Sequence, residues 1–333
     1  MISREIASFE RGRMEFENIN RSLQTHPTTH GLMVIAGPCA VDAIGHFGAD
    51  DKVPRVLQEE AQQLDELSRQ FDMPIFHRLP VWKPRTNVQS WRGLLQSNPS
   101  VAINFLHERR LGPMPIALEV GSVQHQKLLS FASIAWIGAR SIADTSLHDM
   151  VVGNSDVPML IKNGVDEDID HAFKLCTALS RTRRTTLGSG APVMMMHRAG
   201  ASANPKQWEH SIRVANDMHW SHAQNSKEPR QGFFIDASHG AEFAHRPKEE
   251  TERSPVGQLR AAHHALELIA RREIPSVVGL MLETSDISLA EHKKTDPNIP
   301  FAEGLEIIKV LGAIHQNVTR NNAIVRPNDS CHI

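Results

Sequence analysis

Cysteine is scarce. The 333 residues hold three, Cys39, Cys176 and Cys331, too few and too far apart for a disulfide framework, so the expected setting is a reducing cytoplasm. Surplus charge is also missing: the formal net charge is -2, which excludes a general binder of nucleic acid or of an anionic membrane surface. Apolar runs are short. One of the strongest, residues 277–282, is far from the length that spans a bilayer. Residues 1–25 carry Arg4, Glu5, Glu10, Arg11, Arg13, Glu15 and Glu17, with no apolar stretch of a signal peptide among them. No G-x-G-x-x-G turn follows any apolar run, and no linker or low-complexity segment divides the chain. These absences leave a cytosolic globular protein without a membrane or nucleic-acid partner.

What is present is a rhythm. Eight short apolar runs occur at residues 32–36, 73–76, 115–120, 133–137, 157–161, 192–196, 232–235 and 276–282. Between them lie segments with helical spacing, clearest at 53–71, 123–131, 168–179, 206–222, 256–272 and 301–315. Eight strand–helix units in this length predict an α/β protein with a (β/α)8 barrel, the TIM-barrel architecture. The competing doubly wound sheet lacks its glycine fingerprint. Residues 1–30 are expected to form a helical extension, because Ile6, Phe9, Met14, Phe16, Ile19 and Leu23 recur among charges. That stripe is expected to pack on a partner subunit. The catalytic barrel is assigned to 31–320 and a loosely ordered tail to 321–333.

The stretch from Phe76 to Asn87 organises the rest. Arg78, Lys83 and Arg85 follow an apolar run, and Pro80 and Pro84 keep the segment extended. Cations on a stiff strand-end loop suit a carboxylate or phosphate ligand. A solvated basic loop is the bland reading, but the pattern recurs at other strand ends. In a barrel those ends converge on one face. Arg78, Lys83, Arg85, Arg140, Lys162 and Arg198 form a ring of cations sized for phosphorylated substrates. Cys39, His239, Glu283 and Asp296 make a thiolate, imidazole and carboxylate set suited to a divalent metal, with Mn, Fe, Co and Zn all compatible. Singly each has an ordinary structural reading; the joint placement at strand ends is the signal.

The motifs Val34-Ile-Ala-Gly-Pro-Cys-Ala40, Lys83-Pro-Arg-Thr86, Ile137-Gly-Ala-Arg140, Lys162-Asn-Gly164, Asp236-Ala-Ser-His-Gly240, Gly279-Leu-Met-Leu-Glu283 and Thr295-Asp-Pro297 resemble, in order, those of type I 3-deoxy-D-arabino-heptulosonate 7-phosphate (DAHP) synthases. The resemblance implies a metal-dependent condensation of phosphoenolpyruvate with erythrose 4-phosphate, opening the shikimate route to aromatic amino acids. It implies metal ligation by Cys39, His239, Glu283 and Asp296. Phosphoenolpyruvate would be bound by Arg78, Lys83, Arg140, Lys162 and Arg198, with Glu119 and the Ala139 backbone near its phosphate. Arg85, Thr86 and Ser141 would hold the phosphate of the acceptor. Lys83, crowded by cations and so expected to be lowered in pKa, would protonate the new alkoxide. The family's habit implies a homodimer or homotetramer.

Departures from the pattern sit around the acceptor. Ala40 replaces a usual Ser, Ala241-Glu-Phe243 replaces small polar residues, and Gly138-Ala-Arg-Ser-Ile-Ala-Asp144 lacks the usual Thr-Thr-Glu. Residues 175–191 are too few for most of the hairpin with which feedback-regulated members hold an aromatic amino acid. Two alternatives stay open: a paralogue of specialised metabolism using another phosphorylated aldose, such as an amino sugar phosphate, and a barrel without catalysis.

Overall fold

A computed structural model describes residues 2–25, 30–41, 55–83, 93–110, 112, 114–154, 156–164, 166, 168–187, 191–199, 205–225, 230–239, 255–286 and 298–324. Eight strands alternate with helices: β1 (Met33–Gly37), β2 (Ile75–Arg78), β3 (Ile116–Val120), β4 (Ile134–Ile137), β5 (Met159–Lys162), β6 (Val193–His197), β7 (Phe233–Asp236) and β8 (Val277–Glu283). All neighbours are parallel, and β8 closes on β1. The expected (β/α)8 barrel is the observed fold. Every strand residue is buried, which is why each read as a continuous apolar run rather than an alternating one.

The strands reach one or two residues further than hydrophobicity alone indicated. Arg78, Lys162, Asp236 and Glu283 are the last residues of their strands, not the first of the loops. A charged side chain interrupts an apolar run without interrupting the ladder, since pairing uses only the backbone. The expected helix at 123–131 is a 3-10 helix, capped by Ser122, whose side chain accepts from Gln124 N.

Helix α1 (Ile2–Thr25) spends much of its described apolar stripe on its own chain, while Met14 stays exposed. Phe16, Ile19 and Leu23 are buried with Met33, Ile35, Phe76, Trp136 and Phe234 in the interior of the chain's own barrel. Phe16 stacks on Phe234 at 6.3 Å between ring centroids. Close approach depends on Gly12, where a Cβ would stand 2.6 Å from Pro115 Cβ. An amphipathic pattern says that a face is covered, not by what. Burial of each of the three side chains contributes about 1.5–3 kcal/mol.

Outside the barrel, α2 (Arg55–Phe71) buries Leu57, Ala61, Leu64 and Leu67 along one face. It is followed by α3 (Leu94–Ser97), α4 (Pro99–Arg110) and α5 (Thr145–Gly153), the last capped by Asp144 at 3.0 Å from Ser146 N. Helix α6 (Ile169–Leu187) runs through most of the segment in which feedback-regulated members would carry the inhibitor hairpin. Helices α7 (Pro205–Asn225) and α8 (Pro255–Ala270) complete the ring with α9 (Phe301–Ile324), which continues beyond the 315 expected for it and past the assigned tail boundary. Among the described residues no helix is long and apolar enough to cross a membrane.

Arg183 of α6 is fully buried and donates to four backbone carbonyls: Val151 at 2.6 and 2.8 Å, Asn154 at 2.9 Å, Val157 at 3.0 Å and Ala191 at 2.7 Å. It therefore ties the end of α5 to the approaches of β5 and β6. Burial pushes its pKa down to about 10, leaving it charged at neutral pH. Arg183→Met strands these acceptors and is expected to cost about 3–5 kcal/mol in urea unfolding, with Arg183→Lys restoring only part. Undiminished stability in Arg183→Met would show that water replaces the guanidinium.

Several of the 19 histidines are buried, His125, His197 and His219 among them. Desolvation lowers His125 to about 4 and His197 and His219 to about 3. A depressed histidine pKa means that the unfolded chain takes up protons first, below about 6.5. The stability these neutral rings contribute is present above that pH and is lost as pH falls toward 3–4. Denaturation midpoints are expected to fall steadily from pH 7 to 4, with a shallower slope in His219→Phe; an unchanged slope in that variant removes His219 from the account.

Candidate active site

At the C-terminal mouth of the barrel the buried last residues of four strands bring opposite charges together. Arg78 crosses above β1, donating one guanidinium nitrogen to Pro38 O and another to Glu283 Oε1 at 2.6 Å. Both Arg78 and Glu283 are 0% exposed. Lys83 extends from the segment after β2, its Nζ 2.6 Å from Cys39 Sγ and 3.2 Å from Glu283 Oε1. Trp136 of β4 lies beneath, its ring centroid 5.1 Å from the Arg78 guanidinium carbon.

A second group adjoins the first. Asp236 Oδ2 is 2.7 Å from Lys162 Nζ and 2.8 Å from His239 Nδ1. A proton held on Nδ1 by this carboxylate makes Nε2 the lone-pair nitrogen, the one suited to act as a ligand or acceptor. That nitrogen points back to the first group, 3.6 Å from Glu283 Oε1. Ser238 Oγ accepts the Glu283 backbone amide at 2.7 Å. On the far side, the Asn163 side chain pairs with both backbone groups of Arg198, at 2.6 and 2.9 Å.

The turn that presents Cys39 depends on Gly37. Its φ is +150°, and a Cβ there would lie 2.5 Å from Arg78 O. Any other residue would push β1 and β2 apart beside the Pro38 carbonyl that Arg78 holds.

Charge compensation explains the ionisation of the cluster. Burial opposes the charge on Lys83, but the thiolate of Cys39 and the carboxylate of Glu283 outweigh it and raise its pKa. The expectation of a lowered Lys83 counted the neighbouring cations and not the acids. Lys162 is lowered, because burial exceeds the pull of Asp236 and Glu119. Burial favours the neutral form of Glu283, yet Lys83, His239, Arg78 and Lys162 together hold it well below the usual carboxylate range.

The structure thus joins Cys39, Arg78, Lys83, Lys162, His239 and Glu283, with Glu119 and Arg198 buried nearby in the same face. Ala139 is buried, Ser141 half-buried, and Arg140 exposed at the rim. Arg85, Thr86 and Asp296 lie outside the described residues. Sequence reasoning left out Asp236, Trp136, Asn163 and Asn298 as site-building residues. Asp236 had a readable signal, an acid ending an apolar strand; Trp136 looked like ordinary core.

Among the described residues no three histidine, cysteine, aspartate or glutamate side chains surround one point at ligand distance. The donor chemistry nevertheless fits a divalent ion: Cys39 and Glu283 already share one cation, the Lys83 ammonium, and Glu283 Oε2 is buried with no hydrogen-bond partner among the described residues. A soft thiolate, an oriented imidazole and a carboxylate suit a transition metal.

Residues 25–286 match the DAHP synthetase I family. No curated protein sequence matches. A solved structure, phospho-2-dehydro-3-deoxyheptonate aldolase from Francisella tularensis SCHU S4, superposes with a TM-score of 0.69 at 20% identity, covering 95% of this chain and 93% of that one. That likeness is one of fold; the family match spans most of the sequence and shows more. The chain belongs to the DAHP synthetase I family.

Proposed function

We propose that the protein condenses phosphoenolpyruvate with erythrose 4-phosphate in a metal-dependent reaction giving DAHP and inorganic phosphate. Family membership makes it a phosphoenolpyruvate-dependent, carbon–carbon-bond-forming transferase of the 3-deoxy-7-phosphoheptulonate synthase type, acting on a sugar phosphate in the shikimate pathway. The metal and the acceptor's identity are the proposed part. The observation that carries the reading is the convergence of Cys39, Lys83, Glu283, His239 and Arg78 at the barrel mouth.

In this reading Arg78, Lys162 and Arg198 hold the carboxylate and phosphate of phosphoenolpyruvate, with Arg140 reaching in from the rim. Their desolvated positions, fixed by acids and by the Asn163 clamp, mean little reorganisation on binding. Carbon 3 of the enol attacks the aldehyde carbon, forming the new C–C bond. The aldehyde oxygen takes a proton from Lys83, which its acidic neighbours keep charged. Water adds at carbon 2, and the phosphate leaves from that adduct. Arg85, Thr86 and Ser141 are assigned to the acceptor phosphate. Cys39, His239, Glu283 and Asp296 would hold the divalent metal, which supplies Lewis-acid polarisation of the carbonyl or activation of the water. A dimer or tetramer is proposed from the family habit.

The decisive experiment is phosphate release from phosphoenolpyruvate with Mn²⁺, with and without erythrose 4-phosphate, repeated after chelation. Release that requires both the aldehyde and the metal is expected. Release with an amino sugar phosphate but not erythrose 4-phosphate moves the acceptor assignment; undiminished release after thorough chelation overturns metal dependence. Cys39→Ala should abolish metal-dependent turnover while the barrel stays folded by circular dichroism. Lys83→Ala should keep metal binding and lose about 10²–10⁴ in turnover; a near-normal rate would remove its proton-donor role.

A further inference from the structure

The Cys39 thiol sits on a turn rather than on a strand, yet its backbone is fixed from three directions. Thr284 N donates to Gly37 O at 2.9 Å, Arg78 donates to Pro38 O, and Cys39 N donates to Asn298 Oδ1 at 2.9 Å. The third bond joins the thiol-bearing residue itself to a position 259 residues away. Asn298 is buried and adjoins Ile299, which is stitched to the end of β8. Ile299 N donates to Glu283 O at 2.9 Å, Ser285 N to Ile299 O at 3.1 Å, and Thr284 Oγ1 to the same carbonyl at 3.1 Å. Asn298 therefore provides a short rigid path between the backbones of Cys39 and Glu283, independent of Lys83.

The outer side of the same stitch is held by a carboxylate that the mechanism does not use. Glu60 of α2 is 2% exposed and lies among the apolar face of its helix. Its Oε1 accepts from Ser285 Oγ at 2.6 Å and from Asp286 N at 3.3 Å. Asp286 in turn accepts the first amide of α9, Phe301 N, at 3.1 Å. His77 Nε2 is 3.8 Å from Glu60 Oε2, beyond hydrogen-bond length. Burying a carboxylate costs several kcal/mol, and the groups it meets here are those leading directly out of Glu283.

We propose that Asn298 and Glu60 are positioning residues, fixing the Cys39 turn and the exit of β8 relative to one another and so setting the separation of thiol and carboxylate. The inference rests on the proposed role of Cys39 and Glu283 as metal ligands. Neither residue touches substrate or metal; each acts through the backbone that carries a ligand, as outer-shell partners do. The segment joining Asp286 to Asn298 carries Asp296, and both of its ends are held by this arrangement.

The test uses the full chain with Co²⁺ as the probe, because cobalt–thiolate absorption reports ligation by Cys39 directly. Affinity comes from competition with a chelator. Asn298→Leu and Glu60→Met remove the acceptors at similar volume; Asn298→Asp and Glu60→Gln keep them. We expect the first pair to weaken Co²⁺ binding by roughly 10–100-fold and to diminish the thiolate band, and the second pair to stay within a few-fold of wild type. Thermal unfolding of the metal-free variants separates lost ligation from lost fold. If Glu60→Met does not fold, the Asn298 pair decides. Unchanged affinity and spectrum in Asn298→Leu overturns the inference, as does equal damage in Asn298→Asp and Glu60→Gln. A wild type that binds Co²⁺ without a thiolate band overturns the ligand assignment as well, so the two failures are distinguishable.

Discussion

The Arg78–Glu283 pair is the constraint on which the mouth of this barrel depends. Both groups are fully buried, and removing either one from such a pair typically costs about 3–5 kcal/mol, because it leaves a buried charge under-compensated. Paired, they span β2 and β8 across the end of β1, the sector where Cys39 and Lys83 also meet. Asp236 repeats the device for Lys162 and His239. Arg78, Lys83 and Lys162 are thus already desolvated and oriented by acids before any anionic substrate arrives. A substrate carboxylate or phosphate has to compete with those acids, and gains from groups whose reorganisation is complete beforehand.

The apolar layer beneath makes these interactions stronger. Met33, Ile35, Leu160, Met194, Met196 and Met281 fill the barrel, and α1 closes its lower end with Phe16, Ile19 and Leu23. Water is excluded from below, so the effective dielectric around the charges is low and both attraction and the penalty for a missing partner grow. Trp136 stands at the boundary, apolar toward the core and cation-facing toward Arg78. Closure of the lower end by the N-terminal helix and charge pairing at the upper end are two consequences of one sealed interior.

How far the sequence could be read follows from the same physics. The eight strands were legible because strands buried on both faces must be apolar throughout, and the strand-end cations were legible because they broke that pattern. Strand boundaries were not, since Lys162 and Asp236 look like loop residues while their backbones still pair. The destination of α1 was hidden because a hydrophobic stripe carries no address. The raised pKa of Lys83 was hidden because sequence displays its cationic neighbours, whereas Cys39 and Glu283 reach it only through barrel closure. Arg183 sits in a run of basic residues that reads as a solvated face, and Asn298 as a turn residue; long-range bonds to backbone leave no mark on composition.

The division between strand and loop also orders what is fixed and what can vary. Arg78 and Lys162 end strands, and Arg198 follows β6 directly with its backbone clamped by Asn163. Under the proposed function these are contacts to the donor, phosphoenolpyruvate, and barrel closure leaves them almost no freedom. The acceptor contacts of that proposal come from different material: Ser141 is in a turn, and Arg85 and Thr86 come after the last described residue of the β2 exit. Substituting a turn or loop residue disturbs no ladder, so acceptor preference can change while donor chemistry stays. Ala40 and the 138–144 turn, where the family pattern is not kept, are of that second kind; Ala241-Glu-Phe243 lies outside the described residues. Under the proposed function the barrel therefore holds its enol donor largely from strand ends and leaves the choice of aldehyde to turn and loop residues.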